Sequence, residues 1–126
     1  MLGIRNTVAV RLAGLAVLLS GAAWTAGAAG QDTPREIDVV VRRYAFEPAR
    51  IEVNVGERVR LRVVSADGPH GVEIKPFNVK KEIPRGTKPV VIEFTAKEAG
   101  EFPILCSEYC GEGHENMKGQ LVVLTR

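Results

Sequence analysis

The run Arg58-Val59-Arg60-Leu61-Arg62-Val63 sets an arginine and an aliphatic side chain in strict alternation. Successive side chains of an extended strand point to opposite faces, so this run predicts a strand with one wet face and one buried face. A helix would scatter the same arginines around its circumference. Working outward, Ile37, Val39 and Val41 alternate with Asp38, Val40 and Arg42, and Ile51, Val53 and Val55 alternate with Glu52 and Asn54. Residues 90–94, 101–106 and 120–124 continue the series. Turn chemistry separates the runs at Asn54-Val55-Gly56-Glu57, Ala66-Asp67-Gly68-Pro69, Pro84-Arg85-Gly86 and Ala99-Gly100. No helical apolar stripe of useful length follows residue 35. These features predict an all-β antiparallel sandwich of about seven strands. Residues 75–84 are the least regular and are expected to form an irregular crossover. The arginine row is expected to be a solvated face answered by cross-strand acids such as Glu52.

The chain has 126 residues, with 17 Lys or Arg against 15 Asp or Glu. That length suits one domain, and an apolar fraction of 45% with 25% charged residues is globular composition. The small net charge supplies no broad basic face, so nucleic acid is not an expected partner. Residues 1–30 read differently. Arg5 and Arg11 precede an uncharged apolar run over 12–24, and small residues Ala26-Gly27-Ala28-Ala29 follow it. A positive start, a short apolar core and an A-x-A-like site are the parts of a secretory signal. Residues 1–29 are therefore expected to be a signal peptide or a single transmembrane anchor, and 35–126 the folded domain in a periplasmic or otherwise exported location. The domain would then be soluble, or held at the membrane by the N-terminal segment or by a partner.

The chemistry is concentrated in Cys106-Ser107-Glu108-Tyr109-Cys110-Gly111-Glu112-Gly113-His114-Glu115-Asn116-Met117. This stretch joins the end of one expected strand to the start of the last. It offers two thiols, an imidazole and a thioether, which are soft ligands suited to copper. Gly111 and Gly113 allow the loop to curl closely. The chain's other histidine, His70, follows Asp67-Gly68-Pro69 at a strand boundary and can reach the same loop. Four arrangements are open to this set: a Cys106–Cys110 disulfide, a Cys2His2 zinc site, a mononuclear copper site, or two thiolates bridging a pair of coppers. In the last, each copper has one imidazole, with Met117 and a loop carbonyl as weak outer ligands. It leaves no vacant position for a substrate, which favours electron transfer over catalysis at the metal.

The loop resembles the CuA-binding loop of cytochrome c oxidase subunit II. Asp67-Gly68-Pro69-His70 resembles the D-x-x-H segment of that family, and the resemblance spans residues 35–126 through Val53-Asn54-Val55-Gly56-Glu57, Phe77-Asn78-Val79-Lys80 and Ile83-Pro84-Arg85-Gly86. It implies a cupredoxin-type Greek-key sandwich or barrel. It also implies a two-copper centre in which Cys106 and Cys110 bridge, His70 and His114 ligate, Met117 is a weak ligand and Glu108 gives its backbone carbonyl. The family usually carries a two-helix membrane hairpin, whereas this chain has at most one apolar segment.

The function implied is one-electron transfer from a periplasmic carrier, such as a c-type cytochrome, to a terminal oxidase, with haem-copper oxidase subunit I as acceptor. The alternative is a copper carrier or assembly protein without electron-transfer turnover. No substrate-converting site is expected on this chain. Between Glu98 and Met117 stand five acids, Glu98, Glu101, Glu108, Glu112 and Glu115, and no Lys or Arg. Such a bias beside a redox loop would steer a basic partner.

Overall fold

The computed structural model describes residues 33–125, so the expectations for residues 1–29 lie outside the described residues. Nine strands form among the described residues: β1 Arg35–Arg42, β2 Ala45–Glu47, β3 Arg50–Asn54, β4 Arg58–Ser65, β5 His70–Ile74, β6 Val79–Ile83, β7 Gly86–Thr95, β8 Gly100–Leu105 and β9 Lys118–Leu124. They make a sheet in the order β2-β1-β4-β7 and a second in the order β3-β9-β8-β5-β6. No helix among the described residues is long and apolar enough to cross a membrane.

The alternation in β4 does what period two demands. Val59, Leu61 and Val63 are buried, while Arg58 and Arg62 are exposed and Arg60 is half-buried. Opposite them, β9 contributes Leu121 and Val123, β3 Ile51 and Val53, and β5 Val72 and Ile74. Each fully buried aliphatic side chain contributes roughly 1.5–3 kcal/mol relative to exposure. Phe77 packs against Phe94 and meets Phe102 edge-on, at ring-centroid distances of 5.4 and 5.0 Å.

Three expectations are corrected. The sandwich is mixed rather than antiparallel throughout: β1 runs parallel to β4, and β3 parallel to β9. A strand that crosses to the opposite sheet before its partner returns makes such pairs, and alternation alone carries no strand direction. Residues 75–84 are not an irregular crossover, because a 3-10 turn at Lys75–Phe77 leads into β6, which pairs antiparallel with β5. Strand β6 lies at the sheet edge and buries only Val79 and Ile83, with Lys80, Lys81 and Glu82 exposed between them, so period two is hidden. Finally, the arginine face is paired, but not by Glu52. Arg60 meets Glu36 and Glu93, Arg62 meets Asp38, and Glu52 pairs with Arg50 on its own strand.

Candidate metal centre

Strand β8 delivers Cys106. Ile104 points inward, so Cys106, two residues on, turns its side chain to the same interior and is buried. The chain then leaves the sheet, curls through 107–117 and re-enters as β9. Inside this loop the amide of His114 donates to the Gly111 carbonyl, that of Asn116 to Gly113, and that of Met117 to His114, each at 3.1 Å. The turns bring His114 and Met117 back towards Cys110.

All six expected residues converge. The Cys106 and Cys110 sulfurs stand 3.7 Å apart as free thiols. Cys106 Sγ is 3.9 Å from His70 Nδ1 and 3.1 Å from the Glu108 carbonyl oxygen. Cys110 Sγ is 3.6 Å from His114 Nδ1 and 3.7 Å from Met117 Sδ. Each sulfur therefore has its own imidazole, its own weak donor and the other sulfur. His70, Cys106 and Cys110 form one compact group within 4.8 Å, and His114 joins it through Cys110. His70 and Met117 are fully buried, whereas His114 is half-buried.

The electrostatics favour a bound cation. Burial pushes the Cys110 thiol up to about 11, the neighbouring Cys106 adds to this, and Arg43 opposes it. Two adjacent buried thiolates are costly without positive charge between them, and soft metal ions supply it. The donor set therefore fits copper.

The imidazole of His70 is oriented from behind. Asp67 Oδ1 meets His70 Nε2 at 2.5 Å and accepts the Gly68 amide at 2.7 Å, while Oδ2 accepts the Arg43 amide at 2.8 Å. Partial burial would raise the Asp67 pKa, but the Arg43 amide, the His70 ring and the Gly68 amide lower it further, to about 2. A carboxylate on one ring nitrogen leaves Nδ1 facing the sulfurs, as second-layer carboxylates do in many metal sites.

Three residues that shape the site lie outside the expected donor set. Gly71 lies so close to the loop that a Cβ there would meet Ser107 Oγ and would stand 3.0 Å from the amides of Ser107 and Glu108. A glycine inside a strand often marks such an approach. Tyr44, between β1 and β2, lays its ring over Gly111 and Gly113, where a Cβ on Gly113 would come within 2.6 Å of a ring carbon. Arg43 donates from Nε to the Cys110 carbonyl at 2.7 Å. On the outer side, Tyr109 is 74% exposed and its ring lies 5.7 Å from that of His114.

Known proteins resemble this chain over much of its length. Residues 12–123 match the cupredoxin-like domain. The chain is 37% identical over 95 residues to cytochrome c oxidase subunit 2 of Thermus thermophilus, covering 74% of this chain and 70% of that one. A second subunit 2 from the same species is also 37% identical over 95 residues, and the chain spans 56% of its length. Among solved structures, a chain of a haem-copper terminal oxidase dimer superposes with a TM-score of 0.64 at 26% identity, over 71% of this chain and 65% of that one. The periplasmic domain of cytochrome oxidase subunit II from Bradyrhizobium japonicum gives 0.65 at 21% identity over 71% of this chain and 83% of that one, a likeness of fold. By sequence and by fold, the chain belongs to the cytochrome c oxidase subunit 2 family and carries its cupredoxin-like domain.

Proposed function

We propose that this domain is the electron-receiving copper domain of a haem-copper terminal oxidase, holding two copper ions between Cys106 and Cys110. The observation that carries the reading is the paired donor set: two thiols 3.7 Å apart, each with an imidazole at 3.6–3.9 Å. A single tetrahedral ion would not call for this doubling together with Met117. Cys106 and Cys110 would bridge, His70 and His114 would each hold one ion, and Met117 and the Glu108 carbonyl would be weak outer donors. When bound, such a copper pair supplies reversible one-electron chemistry.

The protein's own part is rigidity and insulation. The loop is anchored in β8 and β9, so sheet hydrogen bonds hold both ends, and Asp67 holds His70 in one orientation. Burial of His70, Cys106, Cys110 and Met117 excludes water and resists ligand rearrangement. That burial disfavours the copper-carrier alternative, because a carrier must surrender its ion to a partner's ligands. His114, half-buried beneath exposed Tyr109, is the short way from the site to the surface. A c-type cytochrome is the proposed donor and subunit I of the oxidase the acceptor, in an exported setting.

Copper stoichiometry and electron paramagnetic resonance test the reading. The loaded protein is expected to hold two coppers, to be purple when oxidised, and to spread its unpaired electron over both ions. Cys106→Ser or Cys110→Ser should each abolish the pair, since a hydroxyl neither ionises near neutral pH nor bridges soft copper. Met117→Leu should retain both ions and shift the potential. One copper per chain, or a blue single-copper spectrum, would overturn it.

A further inference from the structure

Most arginines of the strands with a described partner use their side chains on carboxylates: Arg35 on Glu57, Arg42 on Glu47, Arg50 on Glu52, Arg60 on Glu36 and Glu93, and Arg62 on Asp38. Arg43 is different. Its Nε donates to the Cys110 carbonyl at 2.7 Å, and its backbone amide donates to Asp67 Oδ2 at 2.8 Å. Asp67 in turn holds His70 through Oδ1. One residue outside the donor set is thus bonded both to the peptide of a thiol donor and to the carboxylate that orients an imidazole donor. These two contacts reach across 67 and 24 positions of sequence. Among the described residues, no carboxylate forms an ion pair with the Arg43 guanidinium; at Cys110 its charge is opposed by that of Asp67, which is bonded to the Arg43 backbone.

We propose that Arg43 is a positioning residue of the copper centre that also raises its reduction potential, by fixing the Cys110 peptide and setting a permanent positive charge beside the thiol pair. The proposal rests on the two-copper reading. Reduction takes one electron from the external donor, makes and breaks no bond, and takes up no proton, so the charge of the centre falls by one unit. A fixed cation nearby stabilises the lower charge relative to the higher. A guanidinium is a fixed positive charge that matches a carbonyl with a directional N–H. A unit charge at roughly 10 Å across an effective dielectric of about 20 changes the reduced-to-oxidised ratio by about tenfold.

Spectroelectrochemical titration of the copper-loaded protein tests this with three variants. Arg43→Met removes charge and donor, Arg43→Gln keeps an N–H but removes charge, and Arg43→Lys keeps charge. At the wild-type midpoint potential, the Met and Gln variants should show a reduced-to-oxidised ratio lower by about tenfold, and the Lys variant should recover most of it. The paired-copper resonance should persist in Lys and Gln and broaden in Met as the loop loosens. If Arg43→Met fails to fold, Arg43→Gln carries the test. Unchanged midpoints in Met and Gln, or a Lys variant as low as Gln, would overturn the proposal. A wild-type protein that binds other than two coppers would instead sink the reading beneath it.

Discussion

Asp67 Oδ1 and His70 Nε2 stand 2.5 Å apart, which commits the far nitrogen of the ring to a carboxylate and turns the near one, Nδ1, towards Cys106. The same carboxylate accepts two backbone amides, so it is held independently of any ion. Asp67→Ala should therefore leave the strands intact but free the ring, with copper affinity falling by about 10- to 100-fold. Competition against a chelator of known strength checks this, with far-ultraviolet circular dichroism as the control for folding. An affinity equal to wild type would show that packing alone orients His70.

Gly71 makes a second prediction. A methyl group there would collide with Ser107 Oγ and press on the amides of Ser107 and Glu108. The hydroxyl can rotate, but the backbone of the copper loop must move. Gly71→Ala should cost about 1–3 kcal/mol in urea unfolding and weaken copper binding with it. Adding Ser107→Ala should recover part of the stability and little of the binding, since the clash with the amides remains. Full recovery of both would place the strain in the hydroxyl alone.

The acidic loop can be tested by salt. Glu112 and Glu115 are exposed beside half-buried His114. If they steer a basic cytochrome, stopped-flow reduction should slow with ionic strength, as screened attraction requires. Glu112→Lys with Glu115→Lys should slow it by about tenfold at low salt and remove most of the salt dependence. Rates indifferent to both changes would leave these acids as ordinary solvated surface.

Glu57 predicts the acid response of the fold itself. Burial alone would raise its pKa, but hydrogen bonds from the Asn54 amide and side chain, together with Arg35, bring it below the ordinary value of 4.5. A carboxylate lowered by folding stabilises the native state above its unfolded pKa, and that share is lost as pH falls through the folded one. Glu57→Gln should thus cost about 1 kcal/mol at pH 7 and much less at pH 3, read from urea midpoints of the copper-free protein. An equal cost at both values would assign the effect to packing.

What could be read from sequence was whatever is local. The β4 alternation announced its faces, and five of the six expected donors lie within twelve consecutive residues, so their meeting needs only one loop. His70 was recoverable because it is the other histidine of the chain. Partners made by long-range pairing were not. Glu36 and Glu93 reach Arg60 through β1 and β7, neighbours on either side of β4, and nothing in the run 58–63 names those strands. Tyr44 and Arg43 look like ordinary turn residues until the fold lays them on the 106–117 loop. Strand β6 was hidden because three consecutive charged residues separate its two buried ones.

The parallel pairing of β3 with β9, Arg50 against Gln120, has a bearing on how the protein comes into being. Closing a contact of such sequence separation must first overcome the entropy of a long loop, and chains dominated by non-local contacts fold slowly. Met117 directly precedes β9, so the loop that carries His114 and Met117 is held at both ends only once β9 has docked. Until then Cys106 and Cys110 are ordinary accessible thiols. Maturation should therefore run in a set order, with the sandwich closing first and the metal entering a finished socket, so that the time between synthesis and closure is when the thiols are most exposed to oxidation.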